Sequence, residues 1–156
     1  MSIYSLGEDN FVREYIYAFF HINLKLTAIT LRAKELPPEI NPSTVNLTLE
    51  KNKEYSFKIT LAPLKRNGRK ETLLDESEFI NFCEDILSRN GWDCKKTIIQ
   101  DVERVRVFKP TERHFRKVCS FYVSAEINNL ELAKNSILNG IGRGRVYGYG
   151  MPVFNN

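Results

Sequence analysis

Histidine is scarce in this chain: there are two in 156 residues, His21 and His114. Chemistry that moves a proton near neutral pH therefore has few ordinary carriers. Cysteine is scarce as well. Cys83, Cys94 and Cys119 are odd in number, lie far apart and form no CxxC pair, which excludes a zinc ribbon or a disulfide framework, and no metal or cofactor is expected. Cys83 falls on an apolar helical stripe and Cys119 in a strand-like run, so both read as small buried hydrophobes in a reducing cytoplasm. No apolar run approaches the roughly 20 residues of a membrane span. Phe19-Phe20 sits in an amphipathic stretch that begins with acidic residues, unlike a secretory leader. The single tryptophan, Trp92, reads as a core or edge aromatic. Two phosphate-binding motifs are also missing. Gly144 is followed by Arg145-Val146 where a Walker loop needs Lys-Ser/Thr, and the glycine-rich stretch follows a helix pattern instead of a first strand.

What is abundant is glycine at the C-terminal end. Gly140, Gly142, Gly144, Gly148 and Gly150 crowd into eleven positions, alternating with Arg143, Arg145, Tyr147 and Tyr149. Glycine permits positive φ and close backbone approach, arginine grips phosphate, and a tyrosine ring offers a face to a base. That layout suits holding a polyanion against the main chain. A plain helix C-cap at Gly140 followed by a flexible turn is the other reading. Net charge is +4 and the pI about 9.0, but the distribution matters more. Acids gather in Glu8–Glu14 and Asp75–Asp85; bases gather in Lys65–Lys70, Lys95–Lys117 and Arg143–Arg145.

At this length the chain holds one sizeable core or two small modules. Helical spacing of Phe11, Tyr15, Ala18 and Phe19 predicts a helix over Glu8–Phe20. Ile22–Leu26 and Ala28–Ala33 alternate as strands, Ile3–Leu6 reads as a remnant first strand, and Pro37-Pro38 marks a linker over Glu35–Thr44. A strand is then predicted over Tyr55–Leu61, followed by a basic loop, Lys65–Lys70. Asp75 with Glu78 forms a capping-box pattern for a helix carrying Phe79, Phe82, Cys83, Ile86 and Leu87, ended by Asn90-Gly91. Strands over Thr97–Phe108 and Val118–Ile127 follow. Asn128-Asn129 caps a second helix with Leu130, Ala133, Ile137, Leu138 and Ile141 on one face, and a strand over Tyr149–Phe154 closes the chain. The order β-α-β-β-α-β is the ferredoxin-like pattern shared by RNA-recognition folds. The fold class expected is α+β: tandem ferredoxin-like modules, a reduced one in residues 1–45 with its linker and a complete one in residues 46–156.

The run Asn139-Gly-Ile-Gly-Arg-Gly-Arg-Val-Tyr-Gly-Tyr-Gly150 resembles the glycine signature of the RAMP superfamily of CRISPR-associated proteins. Its nearest likeness is the CasE-type repeat-RNA endoribonuclease of type I-E systems. Leu36-Pro37-Pro38 and Tyr55-Ser56-Phe57-Lys58-Ile59, running on to Pro63-Leu64-Lys65-Arg66, are similar to that family's linker and to the first strand of its second module. The resemblance implies binding of a CRISPR repeat stem-loop and metal-independent cleavage at its base. In that chemistry the RNA 2′-hydroxyl attacks the neighbouring phosphate, promoted by a histidine and often a tyrosine of the first helix. It also implies retention of the product beside other Cas proteins in an effector complex of the Cascade kind. The chain departs from the family pattern in its short N-terminal module, in Ala62 where an asparagine commonly precedes the proline, and in a first helix without a clearly placed histidine.

The catalytic candidates are thus His21, Tyr15 and Tyr17. His21 equally suits a helix C-terminus, the tyrosines equally suit a core or surface, and aligning apolar positions puts Tyr15 nearer the family's histidine site. His114, in a basic connection, suits phosphate contact better than acid catalysis. Arg104 and Arg106, two apart on a strand, share a face. Together with Arg113, Arg116 and Lys117 they form a basic hairpin, and Lys65, Arg66, Arg69 and Lys70 would be its counterpart on the neighbouring strand. Shape and phosphate dominate the reading of A-form RNA, so such cations suffice. Gly142, Arg143, Gly144 and Arg145 complete the expected RNA-binding set. An inactive relative that only holds a hairpin, or an unrelated ferredoxin-like regulator, are the alternatives.

Overall fold

A computed structural model describes residues 15–23, 26–33, 48–108 and 113–154. The chain enters with β1 (Tyr15–Asn23) and β2 (Leu26–Ala33), a two-stranded antiparallel sheet in which Tyr15 stands opposite Ala33 and His21 opposite Thr27. The helix expected over Glu8–Phe20 is therefore wrong from Tyr15 onward. The run Tyr-Ile-Tyr-Ala-Phe-Phe-His-Ile is aromatic and β-branched, and such short apolar runs satisfy either period; a partner strand in register decides for β. β2 contains the expected strand Ala28–Ala33, whereas the expected Ile22–Leu26 straddles the end of β1 and the start of β2. Residues 1–14 and 34–47, which carry Ile3–Leu6, the double proline and the 45/46 boundary, lie outside the described residues.

The remainder is a four-stranded antiparallel sheet under two helices. β3 (Glu54–Leu61) leads to a small hairpin, β4 (Leu64–Asn67) and β5 (Lys70–Leu73), where a plain basic loop was expected. The Asp75 N–H donates to Glu78 Oε2 at 3.1 Å, opening a 3-10 turn that runs into α1 (Phe79–Ser88). β6 (Trp92–Phe108) and β7 (Arg113–Ile127) form a long hairpin, and α2 (Leu130–Asn139) starts where Asn129 Oδ1 accepts from the Leu132 N–H at 3.1 Å. A 3-10 turn, Arg145–Tyr147, precedes β8, which is only Val153–Phe154, not the longer strand expected. The sheet order β6-β7-β3-β8 is what split β-α-β connections give in a ferredoxin-like fold.

Alternation along the strands makes one face apolar. Phe57, Ile59 and Leu61 of β3 and Cys119, Phe121, Val123 and Ala125 of β7 are buried beneath Phe79, Cys83 and Leu87 of α1 and Ala133 and Ile137 of α2. Leu138, expected with this stripe, is exposed. Trp92 sits edge-on to Phe57 with centroids 5.0 Å apart. Its indole N–H donates to Ser136 Oγ at 2.9 Å, and that hydroxyl donates to Ala133 O at 2.7 Å. Burial thus costs the ring no unpaired donor. The opposite face is polar: Thr60 and Ser120 hydroxyls meet at 2.8 Å.

The two sheets meet at the end of α2. Ala18 is buried with Met151 and Val153. Arg32 donates from Nη1 to Ile137 O at 2.7 Å and from Nη2 to Pro152 O at 3.1 Å. The first of these satisfies a carbonyl that α2 itself leaves open and sets a cation on the negative end of its dipole. Burial lowers the pKa of that guanidinium from its ordinary value.

Candidate nucleic-acid interface

The glycine stretch is a folded clasp. Gly140, Gly142, Gly144, Gly148 and Gly150 all have φ between 74 and 84°, a region side chains rarely enter. Its amides are committed inward: Ile141 N–H donates to Gly150 O at 2.6 Å, Tyr147 N–H to Gly144 O at 2.8 Å, and Gly150 N–H to Thr60 O at 2.7 Å. At Gly144 a Cβ would meet the Tyr149 ring at 2.7 Å. Tyr149 is buried with Ala62 and Val118, so its ring packs under the loop and offers no face to a base. At Gly144 and Gly150 the close approach is loop against protein. Gly140 does cap α2, and the segment beyond it is pinned at its two ends by these bonds.

The arginines of the clasp point to two different partners. Arg145 Nη1 donates to Asn139 O at 3.0 Å, at the end of α2. Arg143 pairs with Glu71 of β5. The other oxygen of Glu71 lies 3.6 Å from Arg116 Nη2, and the Arg116 guanidinium stands 5.5 Å from the Tyr147 ring centroid. Arg116, Arg143 and the small hairpin are thereby gathered at one place.

The far half of the β6–β7 hairpin carries the second basic cluster. Register sets Arg104 opposite Lys117 and Arg106 opposite Phe115. The Arg104 guanidinium lies 4.5 Å from the Phe115 ring centroid and that of Arg106 5.7 Å from it. Phe115 is 54% exposed, so its ring is open to solvent beside the two guanidinium groups. Lys117 Nζ reaches Glu76 Oε1 at 2.6 Å. Arg113 and His114 continue β7 opposite Phe108 and Val107. Lys65, Arg66, Arg69 and Lys70 are exposed on the small hairpin, with Arg66 Nε donating to Gly68 O at 2.7 Å.

Tyr15, Tyr17 and His21 occupy alternate positions of β1, of the parity opposite to buried Ala18, and β1 runs alongside α2 and the Arg145–Tyr147 turn. The fold thus brings β1 next to α2 and the Arg145–Tyr147 turn, with these residues on a strand in place of the expected helix. Burial pushes the Cys94 thiol up to about 11 and that of Cys119 to about 12, and raises Cys83 further; all three stay protonated at neutral pH, which fits small hydrophobes and excludes a thiolate nucleophile among them. Two residues escaped the sequence reading, Glu71 and Phe115. Their signal was contrast, an acid at the end of a basic run and an aromatic within one.

No family model and no curated protein matches the chain. Solved structures do. The CRISPR endoribonuclease Cse3 bound to a 19-nucleotide RNA superposes with a TM-score of 0.80 at 15% identity, over 92% of this chain and 80% of that one. The CRISPR-associated protein Cas6e from Escherichia coli str. K-12 gives 0.69 at 16% identity, over 89% and 82%. A chain of a CRISPR RNA-guided surveillance complex gives 0.67 at 20% identity, over 97% and 87%. The fold is the one those proteins share.

Proposed function

We propose that the chain binds the stem-loop of a CRISPR repeat RNA and cuts the precursor by metal-independent attack of a 2′-hydroxyl. It then keeps the product beside other Cas proteins of an effector complex in the cytoplasm. The observation that carries this reading is the basic outer half of the β6–β7 hairpin, built on a fold shared with an endoribonuclease that was captured with RNA. Among the described residues no helix is long and apolar enough to cross a membrane. In this reading residues 1–45 are a reduced N-terminal module and residues 46–156 the RAMP module. Arg104, Arg106, Arg113, His114, Arg116 and Lys117 grip stem phosphates, Lys65, Arg66, Arg69 and Lys70 flank them, and the clasp with Arg143 and Arg145 borders the cut.

The chemistry asked of the site is small. The 2′-oxygen forms a bond to phosphorus as the bond from phosphorus to the 5′-oxygen breaks. One group takes the 2′-hydroxyl proton and another returns a proton to the departing oxygen, leaving a 2′,3′-cyclic phosphate and a free 5′-hydroxyl. Of His21, Tyr15 and Tyr17, whichever lies at the scissile phosphate is assigned the proton transfer. Arginine beside the phosphate stabilises the charge that develops on it. The test is cleavage of a repeat hairpin with EDTA present. Products should carry those two ends, a 2′-deoxy substitution upstream of the cut should abolish them, and whichever of His21→Ala and Tyr15→Phe removes the proton carrier should slow the step about 10²–10⁴-fold with binding retained. Cleavage that survives the 2′-deoxy substitution overturns the mechanism. Tight binding with no cleavage by the wild type makes the chain a holding subunit instead.

A further inference from the structure

Within Leu64–Leu73 four cations, Lys65, Arg66, Arg69 and Lys70, accompany one acid, Glu71. That acid does not settle on its cross-strand neighbour, Arg66, whose Nε is turned to Gly68 O. It reaches instead to the end of the sheet. One carboxylate oxygen is held by Arg143 of the clasp and the other by Arg116 of β7. Two guanidinium groups from separate elements, one of them lying against the Tyr147 ring, converge on the two oxygens of one anion. A phosphodiester presents its pair of non-bridging oxygens in the same way, and arginine forks match either group.

We infer that Arg116 and Arg143 form a phosphate subsite that Glu71 occupies until RNA displaces it. The small hairpin is then an anionic latch on the interface. Glu71 and Arg143 are each 38% exposed and Arg116 21%, so the pairs are screened and replaceable; exposed pairs of this kind are individually weak. A phosphodiester has the same single charge as Glu71, but it is carried on a strand already held along the β6–β7 hairpin, and that tethering lets it win the exchange. The latch keeps two arginines from gripping unrelated anions and orders the hairpin before RNA arrives. It rests on the RNA-binding reading for its natural ligand, though not for its chemistry.

The experiment compares the full-length wild type with Glu71→Gln, with Glu71→Gln/Arg116→Ala/Arg143→Ala, and with Glu131→Gln as a control that removes the same charge on α2. Each is titrated with pyrophosphate by calorimetry and with a repeat-type RNA hairpin by anisotropy at one low salt concentration. Glu71→Gln should bind both about 2- to 10-fold more tightly than wild type, the scale of two exposed ion pairs released. The gain should vanish in the triple variant and be absent in Glu131→Gln. Glu71→Asp, which withdraws the carboxylate by one methylene, should fall between and serves if the glutamine variant folds poorly. Wild-type affinities in a folded Glu71→Gln, or a gain that survives loss of both arginines, overturns the latch. If the variant gains pyrophosphate binding while no protein binds the hairpin, the anion site stands and the RNA reading falls.

Discussion

Replacing Gly150 by alanine tests whether the glycine clasp is built for itself or for RNA. At φ +81° an alanine pays the left-handed penalty, about 1–2 kcal/mol. Its Cβ would also run into the Ile141 carbonyl oxygen and stand 2.9 Å from the carbonyl carbon, which is backbone and cannot swing aside. Relief requires parting the two segments. That breaks the 2.6 Å bond from Ile141 N–H to Gly150 O and strains the 2.7 Å bond from Gly150 N–H to Thr60 O, each worth about 1 kcal/mol net. It also drags Ile141, 1% exposed, and Met151, 2% exposed, from their sites. The sum is about 3–4 kcal/mol, a large part of a typical stability of about 5–15 kcal/mol. Gly68, at φ +60° with nothing within 4 Å of a Cβ, is the control: alanine there should cost only about 1–2 kcal/mol. Urea unfolding followed by the fluorescence of Trp92 measures both, and equal slopes keep the comparison one of stability. A Gly150→Ala protein no less stable than Gly68→Ala would refute the clasp.

Arg32→Lys should destabilise the fold by about 1–3 kcal/mol, because a single ammonium cannot span Ile137 O and Pro152 O as the fork does; a melt unchanged from wild type would contradict that bridging role. Phe115→Ala should weaken RNA binding about 3- to 10-fold while leaving the melt untouched, since the ring is exposed between two arginines and stacks as aromatic platforms do; anisotropy with equal affinities removes it from the interface. The thiols of Cys94 and Cys119 titrate near 11 and 12 in the fold, above the unfolded value near 8.5. The protonated form is thus favoured by folding, and its contribution is complete below about pH 8.5 and lost as pH rises through the folded values. Cys94→Ala should accordingly flatten the fall of stability above pH 9, and an unaltered pH profile would argue against that burial effect. Arg145→Ala, which leaves the Asn139 carbonyl at the end of α2 without its cation, should cost about 0.5–1.5 kcal/mol in the same melts, and no change would assign Arg145 wholly to ligand.

Most of residues 48–154 was legible because the signals there are redundant. Asp75 with Glu78, the stripe through Phe79, Cys83 and Leu87, and Asn129 ahead of Leu130 each announce a helix by chemistry as well as by period. The alternation of Phe57, Ile59 and Leu61 with polar neighbours announces a one-sided strand. Lys65–Lys70 looked like a loop because its residues are charged, yet Leu64 opposite Leu73 and a turn at Gly68 suffice for a hairpin. The arginines of the clasp were legible as cations but not as partners. Nothing within twenty residues of Arg143 announces Glu71, and spacing cannot report a contact made only when a hairpin folds back.

The error over β1 bears on mechanism more than on topology. On a helix, Tyr15 and His21 would lie six residues apart along a 3.6-residue period and diverge around the axis. On a strand with period two, Tyr15, Tyr17 and His21 fall on one parity, and the described register is unbroken from Tyr15 to His21. At roughly 3.4 Å per residue, the first and last positions are separated by about 20 Å along the strand, too far for both to serve one scissile phosphate. One end of β1 must therefore be chosen. His21 lies toward the end of β1 that precedes β2, and Tyr15 and Tyr17 lie together at the other end. Tyr15→Phe and His21→Ala should consequently differ sharply in single-turnover cleavage, one losing about 10²–10⁴-fold and the other close to none. Equal large losses at both would mean that β1 does not keep this extended register when RNA is bound.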